Sequence, residues 1–246
     1  MDDDHLDHHG SRAQLNRCFE QLIFQTKKTV FYDATDSRSV ALCAAHKNCL
    51  PIQQDADAKQ IPFPGAYNQK NAAAALMVAD QFVPRKISRD RLAEIEPIRR
   101  RFESLYRNKG VQIITDYAHH PTEINALIEA VRECKEYKRI LAIFQPHRYS
   151  RTNSLKAEFA TVLQQLDQVI LVPVYSASEP WIEGGDSSDI LAICHKQGWN
   201  HIHEVEQLEG AWMEVVDSLR SGDLLLLIGA GNIDQLRCKI SQIEQN

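Results

Sequence analysis

From residue 112 onward, short apolar runs and amphipathic stretches alternate so regularly that few folds can accommodate them. Strand-like runs occupy residues 112–115, 140–144, 169–172 and 224–228, with a weaker one near 201–205. Between them, apolar residues recur at helical spacing over 122–136, 155–166, 188–196 and 208–219. The runs are continuous rather than alternating in polarity, the pattern of strands covered on both faces. Strands separated by helices of this length build βαβ units. The expected fold class is therefore α/β, a mostly parallel sheet with helices on both faces.

In such a sheet, ligands bind where strands end at their carboxyl edge. Two of these junctions carry unusual chemistry. The first reads Asp116-Tyr117-Ala118-His119-His120-Pro121-Thr122-Glu123 and the second Gln145-Pro146-His147-Arg148-Tyr149-Ser150-Arg151. Pro121 fits the first turn of a helix, which puts His119 and His120 beside free N–H groups that attract anions. Arg148 and Arg151 share a face if the loop turns helical there, and guanidinium forks suit carboxylate or phosphate. Together the junctions read as an anion site. For the first alone, a blander reading stands beside it: Asp116 and His119 cap the helix and tie a loop.

The remaining residues constrain less. A net charge of -5 with no basic stripe excludes a general nucleic-acid binder. No apolar stretch reaches the length of a membrane span. The six cysteines are scattered and suit reduced thiols in the cytoplasm, although the even spacing of Cys43, His46 and Cys49 leaves a metal clip open. The acidic start from Asp2 to His9 suits a divalent cation and equally a frayed terminus. Helices are expected over 12–28 with Ser11 as N-cap, over 37–46, over 68–82, and over 88–95 with Ser88 as N-cap. A strand is expected over 29–32, and no clear period runs from 48 to 64. Gly229-Ala230-Gly231 lacks the third glycine of a dinucleotide turn and reads as a tight turn into a closing helix. Trp181 and Trp212 read as packing residues. The turn-like Asn108-Lys109-Gly110 marks a boundary between domains at 1–107 and 108–246.

Taken together, these segments resemble the Mur ligase family, in the family's order and over most of the chain. Asp4-His5-Leu6-Asp7, Asn68-x-x-Asn71-Ala72 and Arg100-Arg101-Phe102-Glu103 each match a family element. The two junctions are the most specific matches, and the second favours the alanine-adding members. Val174-Tyr175-Ser176-Ala177 and the run from Gly222-Asp223 to Gly231 complete the pattern. The resemblance implies a Rossmann-like C-terminal domain after a shortened α/β remnant of the central, ATP-binding domain. It implies an ADP-forming amide ligase of peptidoglycan synthesis that uses ATP, magnesium, L-alanine and UDP-N-acetylmuramate. Carried over by motif, Asn68 and Asn71 would meet adenine, and Arg101 and Asp116 would hold the nucleotide, with Asp116 on the ribose. Tyr117, His119, His120, His147, Arg148 and Arg151 would line the amino-acid pocket. Arg101, Asp116 and His119 would be the catalytic set, and Asp2 is the nearest match to the family's metal-binding glutamate.

The departures are equally specific. No Gly-x-x-x-x-Gly-Lys-Ser/Thr phosphate loop occurs in these 246 residues, and Thr115 stands where the family has the first aspartate of Asp-Asp-Tyr. Phosphoryl transfer depends on such a cradle. The expectation is a chain that cannot turn over alone, its missing part supplied by another chain, lost in a truncated gene or left out of this sequence, or else a non-catalytic nucleotide- or amino-acid-binding module.

Overall fold

The computed structural model describes residues 9–62, 64–96 and 98–243. The chain divides into two compact units, residues 1–96 and 97–246.

The first unit begins with α1 (Arg12–Gln25), capped by the Ser11 hydroxyl, which accepts the Gln14 amide at 3.3 Å. Strand β1 (Val30–Tyr32) leads to α2 (Ser37–Cys43), and β2 (Cys49–Pro51) pairs parallel to β1. A 3-10 turn (Ala56–Gln60) precedes α3 (Ala66–Ala79) and α4 (Arg85–Ala93). Ala58, Ile61, Ala72, Ala73, Leu76 and Leu92 form its small core. Helix α4 starts three residues before the expected cap. Ser88 lies inside it, its hydroxyl donating to Asp80 at 2.6 Å beside Arg89, whose guanidinium joins Asp55, Asp57 and Asp80. A partly buried ion network, rather than capping, explains that serine.

The second unit carries the alternation read from the sequence. Its strands are β3 (Glu103–Asn108), β4 (Val111–Asp116), β5 (Arg139–Phe144), β6 (Gln168–Leu171), β7 (Ile202–Glu204) and β8 (Asp223–Ile228). They lie in the order β3-β4-β8-β5-β6-β7, all parallel except β3 against β4. Helices α5 (Pro121–Glu133), α6 (Tyr149–Leu163), α7 (Ser187–Lys196) and α8 (Leu208–Ser218) fall between the parallel strands. Alternate residues of β4, β5, β6 and β8 feed opposite cores. Ile114, Ala142, Phe144, Leu171 and Leu226 pack with Ile128, Phe159 and Ile190 from α5, α6 and α7. Ile113, Leu141, Ile143, Ile170 and Leu225 pack with Trp212 and Val215 from α8, and with Ile233 and Leu236 beyond β8. Every residue of β4 and β8 is buried, as the continuous apolar runs require.

Several expectations are corrected. Strand β3 was hidden by its polarity: as an edge strand it faces solvent, and only Tyr106 is buried. Asn108-Lys109-Gly110 is consequently a hairpin turn, with Lys109 at φ 52° and Gly110 at φ 76°, and the units part at residues 96 and 97 instead. The expected closing helix is a 3-10 segment (Asn232–Gln242). Trp212 is buried, but Trp181 is 62% exposed and donates its indole N–H to Asp186 at 2.7 Å. Among the described residues no helix is long and apolar enough to cross a membrane.

Candidate functional site

The five parallel strands of the second unit, β4 to β8, end on the same edge of the sheet. Chain order does not make β4 and β5 neighbours: the crossover through α8 inserts β8 between them. The junction after β8 therefore lies between the two histidine-bearing junctions. Gly229 and Gly231 make this possible. A Cβ on Gly229 would sit 2.7 Å from the Gln145 carbonyl oxygen, and one on Gly231 would sit 2.6 Å from Cβ of Tyr175. Buried Gln145 clamps the turn, donating to Asn232 Oδ1 at 2.7 Å and accepting from the Ile233 amide at 3.0 Å.

At the first junction, Asp116 is buried. Its Oδ2 accepts the Phe102 amide at 2.7 Å and its Oδ1 the Ala118 amide at 2.8 Å. Burial pushes this carboxyl above its usual range, against the pull of those two donors and Arg101. The carboxylate thus pins the loop before β3 to the loop after β4. That loop carries Arg100 at φ 58°, whose Nη2 donates to the carbonyls of Gly229 at 2.5 Å and Gly231 at 3.1 Å. The Arg100 and Arg101 guanidiniums lie 4.8 Å and 5.5 Å from the Tyr117 ring centre.

The two histidines part ways. His120 is the N-cap of α5: its buried Nδ1 accepts the Thr122 amide at 3.3 Å, and Glu123 accepts the His120 amide in return. That is the bland reading, realised one residue later than expected, with Nδ1 of His120 taken up by the helix cap. His119 instead turns its ring toward His147, 5.8 Å away, and meets Tyr117 edge-on.

At the second junction His147 stacks on Tyr175, with ring centres 5.6 Å apart. Arg148 adopts φ 73° just before α6, so it and Arg151 do not share a helical face. Arg151 donates to Nδ1 and to the carbonyl of His147 at 3.2 and 3.1 Å. Glu179, from the loop after β6, accepts the Ser150 amide and hydroxyl and lies 3.7 Å from Arg148. Glu179 was not expected here, and Gln145 and Arg100 entered only as members of their motifs. An acid shortly after β6, at a third strand end, was the available signal for the first.

Burial, with Arg151, His119 and Arg148 nearby, lowers the His147 pKa to about 4 from 6.5. Between those values the unfolded chain binds the proton and the fold does not, so stability falls as pH drops through that window. His147→Gln is expected to flatten this part of a stability-against-pH curve measured by urea unfolding. Equal slopes for both proteins would refute the shift.

The other predicted residues lie elsewhere. Asn68 and Asn71 belong to the first unit, where Asn68 donates to the Pro64 carbonyl at 2.7 Å. Asn71 lines a cavity of about 450 Å³ with Asp33, Gln53, Tyr67 and Lys70. Asp2 and the Asp4-His5-Leu6-Asp7 segment lie outside the described residues. Among the described residues no group of three His, Cys, Asp or Glu side chains could hold a metal ion, the Cys43-His46-Cys49 spacing included.

Comparison with known proteins gives consistent findings. A family model described as Mur ligase, glutamate ligase domain, matches residues 100–231. The UDP-N-acetylmuramate–L-alanine ligase of Desulfotalea psychrophila is 38% identical over 180 residues, covering 73% of this chain and 39% of that protein. Its namesake in Agrobacterium fabrum is 39% identical over 177 residues, covering 71% and 37%. The chain thus spans about two fifths of the curated relatives it matches. In fold it is similar to the UDP-N-acetylmuramate–alanine ligase of Thermotoga maritima, with a TM-score of 0.74 at 23% identity, covering 99% of this chain and 57% of that one.

Proposed function

This chain belongs to the Mur ligase family, and from that premise we propose that it forms the amino-acid- and nucleotide-holding part of a peptidoglycan ligase. The reaction is the ADP-forming addition of L-alanine to UDP-N-acetylmuramate. ATP phosphorylates the muramate carboxylate, and the amino group of alanine displaces phosphate from the acyl phosphate. The observation that carries this reading is the cluster of His119, His147 and Arg148 at one sheet edge, in a chain whose relatives bear that activity's name. Arg148 and His147 would hold the alanine carboxylate, with Tyr117, His119 and Arg151 around them. Arg101 and Asp116 would face the nucleotide. Among the described residues no group of three His, Cys, Asp or Glu side chains could hold magnesium. The six free cysteines agree with work in the cytoplasm.

One sequence observation favours a second reading. Without a phosphate loop in these 246 residues, the chain could serve as a non-catalytic binding module. Losing one charge-assisted hydrogen bond costs about 1.5–3 kcal/mol, and a phosphate cradle supplies several at once. The 246-residue polypeptide is therefore expected to form no ADP from ATP, L-alanine and UDP-N-acetylmuramate. Alanine-dependent ADP release by the chain alone would overturn that. Turnover restored by a second polypeptide carrying the phosphate loop favours the ligase. Alanine or nucleotide binding without restoration favours the module.

A further inference from the structure

The hydrogen-bond partners of the two pocket histidines determine where their protons sit. Nδ1 of His147 faces Nη1 of Arg151 at 3.2 Å. A guanidinium offers only donors, so this ring nitrogen carries the lone pair. The same Nη1 reaches the His147 carbonyl oxygen at 3.1 Å, so Arg151 grips ring and backbone together. His119 is arranged the other way. Its Nδ1 lies 2.9 Å from the Tyr117 carbonyl oxygen and 3.4 Å from Glu123 Oε2, both acceptors, so this nitrogen carries the proton.

We propose that the two imidazoles are locked in opposite tautomers, His119 protonated on Nδ1 and His147 on Nε2, with Arg151 the positioning residue that sets the second. His147 then offers an N–H donor, and among the described residues its Nε2 meets no hydrogen-bond partner. A neutral N–H donor suits a carboxylate oxygen, and without a lone pair it cannot act as a base through that nitrogen. The ligand half of this inference rests on the amino-acid reading above; the tautomers do not. The groups facing the His147 ring are Arg148 and Arg151 at the start of α6, His119 from the turn before α5, and Tyr175 and Glu179 after β6. Only Glu179 among them favours a charged ring, and the pKa lies low, at about 4.

Long-range ¹⁵N–¹H spectra of the full chain, assigned with His119→Gln and His147→Gln, test this directly. At neutral pH the His147 pattern should be that of the Nε2–H tautomer and the His119 pattern that of Nδ1–H. The His147 pattern should persist from about pH 8 to about pH 5. Arg151→Met should mix the His147 tautomers and raise its midpoint by about one pH unit, roughly tenfold in proton affinity. Arg151→Lys, which keeps a donor and a charge, should restore part of the original pattern. An Nδ1–H pattern for His147 in the wild type, or one tautomer shared by both rings, would overturn the proposal. Adding L-alanine should shift the His147 Nε2–H resonance, and alaninol, which lacks the carboxylate, should not. If the tautomers are as stated and alanine has no effect, the tautomer assignment stands and the amino-acid reading falls.

Discussion

Phe159→Ala is expected to lower the unfolding free energy of the second unit by about 3–5 kcal/mol, the usual cost of emptying an aromatic site in a packed core. The ring has no solvent exposure and lies 5.4 Å from the Phe144 ring, at the last residue of β5 before the second junction. The cavity would open between α6 and the sheet, where Ile128, Leu163 and Ile190 also pack. A domain of this kind has about 5–15 kcal/mol in total, so about a fifth or more of its stability is at stake. Urea unfolding followed by near-ultraviolet circular dichroism reads the change. A loss below about 1 kcal/mol would mean that α6 collapses onto the sheet and that the core is less tightly fitted than described.

Asp116→Ala should rank second, and its effect extends into the pocket. The substitution strands the Phe102 and Ala118 amides, at about 1–3 kcal/mol for each buried donor, while removing a desolvated carboxylate; about 2–4 kcal/mol net is expected. The pH dependence gives a second readout. Burial keeps the folded carboxyl protonated to higher pH than the unfolded one, so its contribution to stability falls as pH rises above 3.8. That slope should vanish in the variant. Releasing Phe102 also releases Arg100, which holds the carbonyls of Gly229 and Gly231. Nucleotide and alanine binding should therefore weaken together, seen by calorimetry. Asp116→Asn keeps one acceptor and should recover part of both losses. Unchanged stability in Asp116→Ala would show that the carboxylate does not pin the loop.

These two residues also show how much was legible beforehand. Phe159 lies in a helical pattern and Asp116 ends an apolar run, so their elements followed from period and length. Helix α6 nevertheless starts six residues before the expected position, because Tyr149-Ser150-Arg151 is too polar to register as part of an apolar stripe. Strand β3 escaped for the same reason. His120 and Arg151 were placed in the pocket by their neighbours in sequence. The structure gives His120 to the helix cap and turns Arg151 onto His147.

The sequence by itself determined an α/β sheet with chemistry at two strand ends, because burial on both strand faces forces continuous apolar runs and strand ends fall where those runs stop. Only the tertiary structure decided that β8 separates β4 from β5, that Tyr175 stacks on His147, and that Glu179 comes up beside Arg148. Strand order and side-chain partners are set by packing between residues distant in the chain, and local periodicity carries no trace of them.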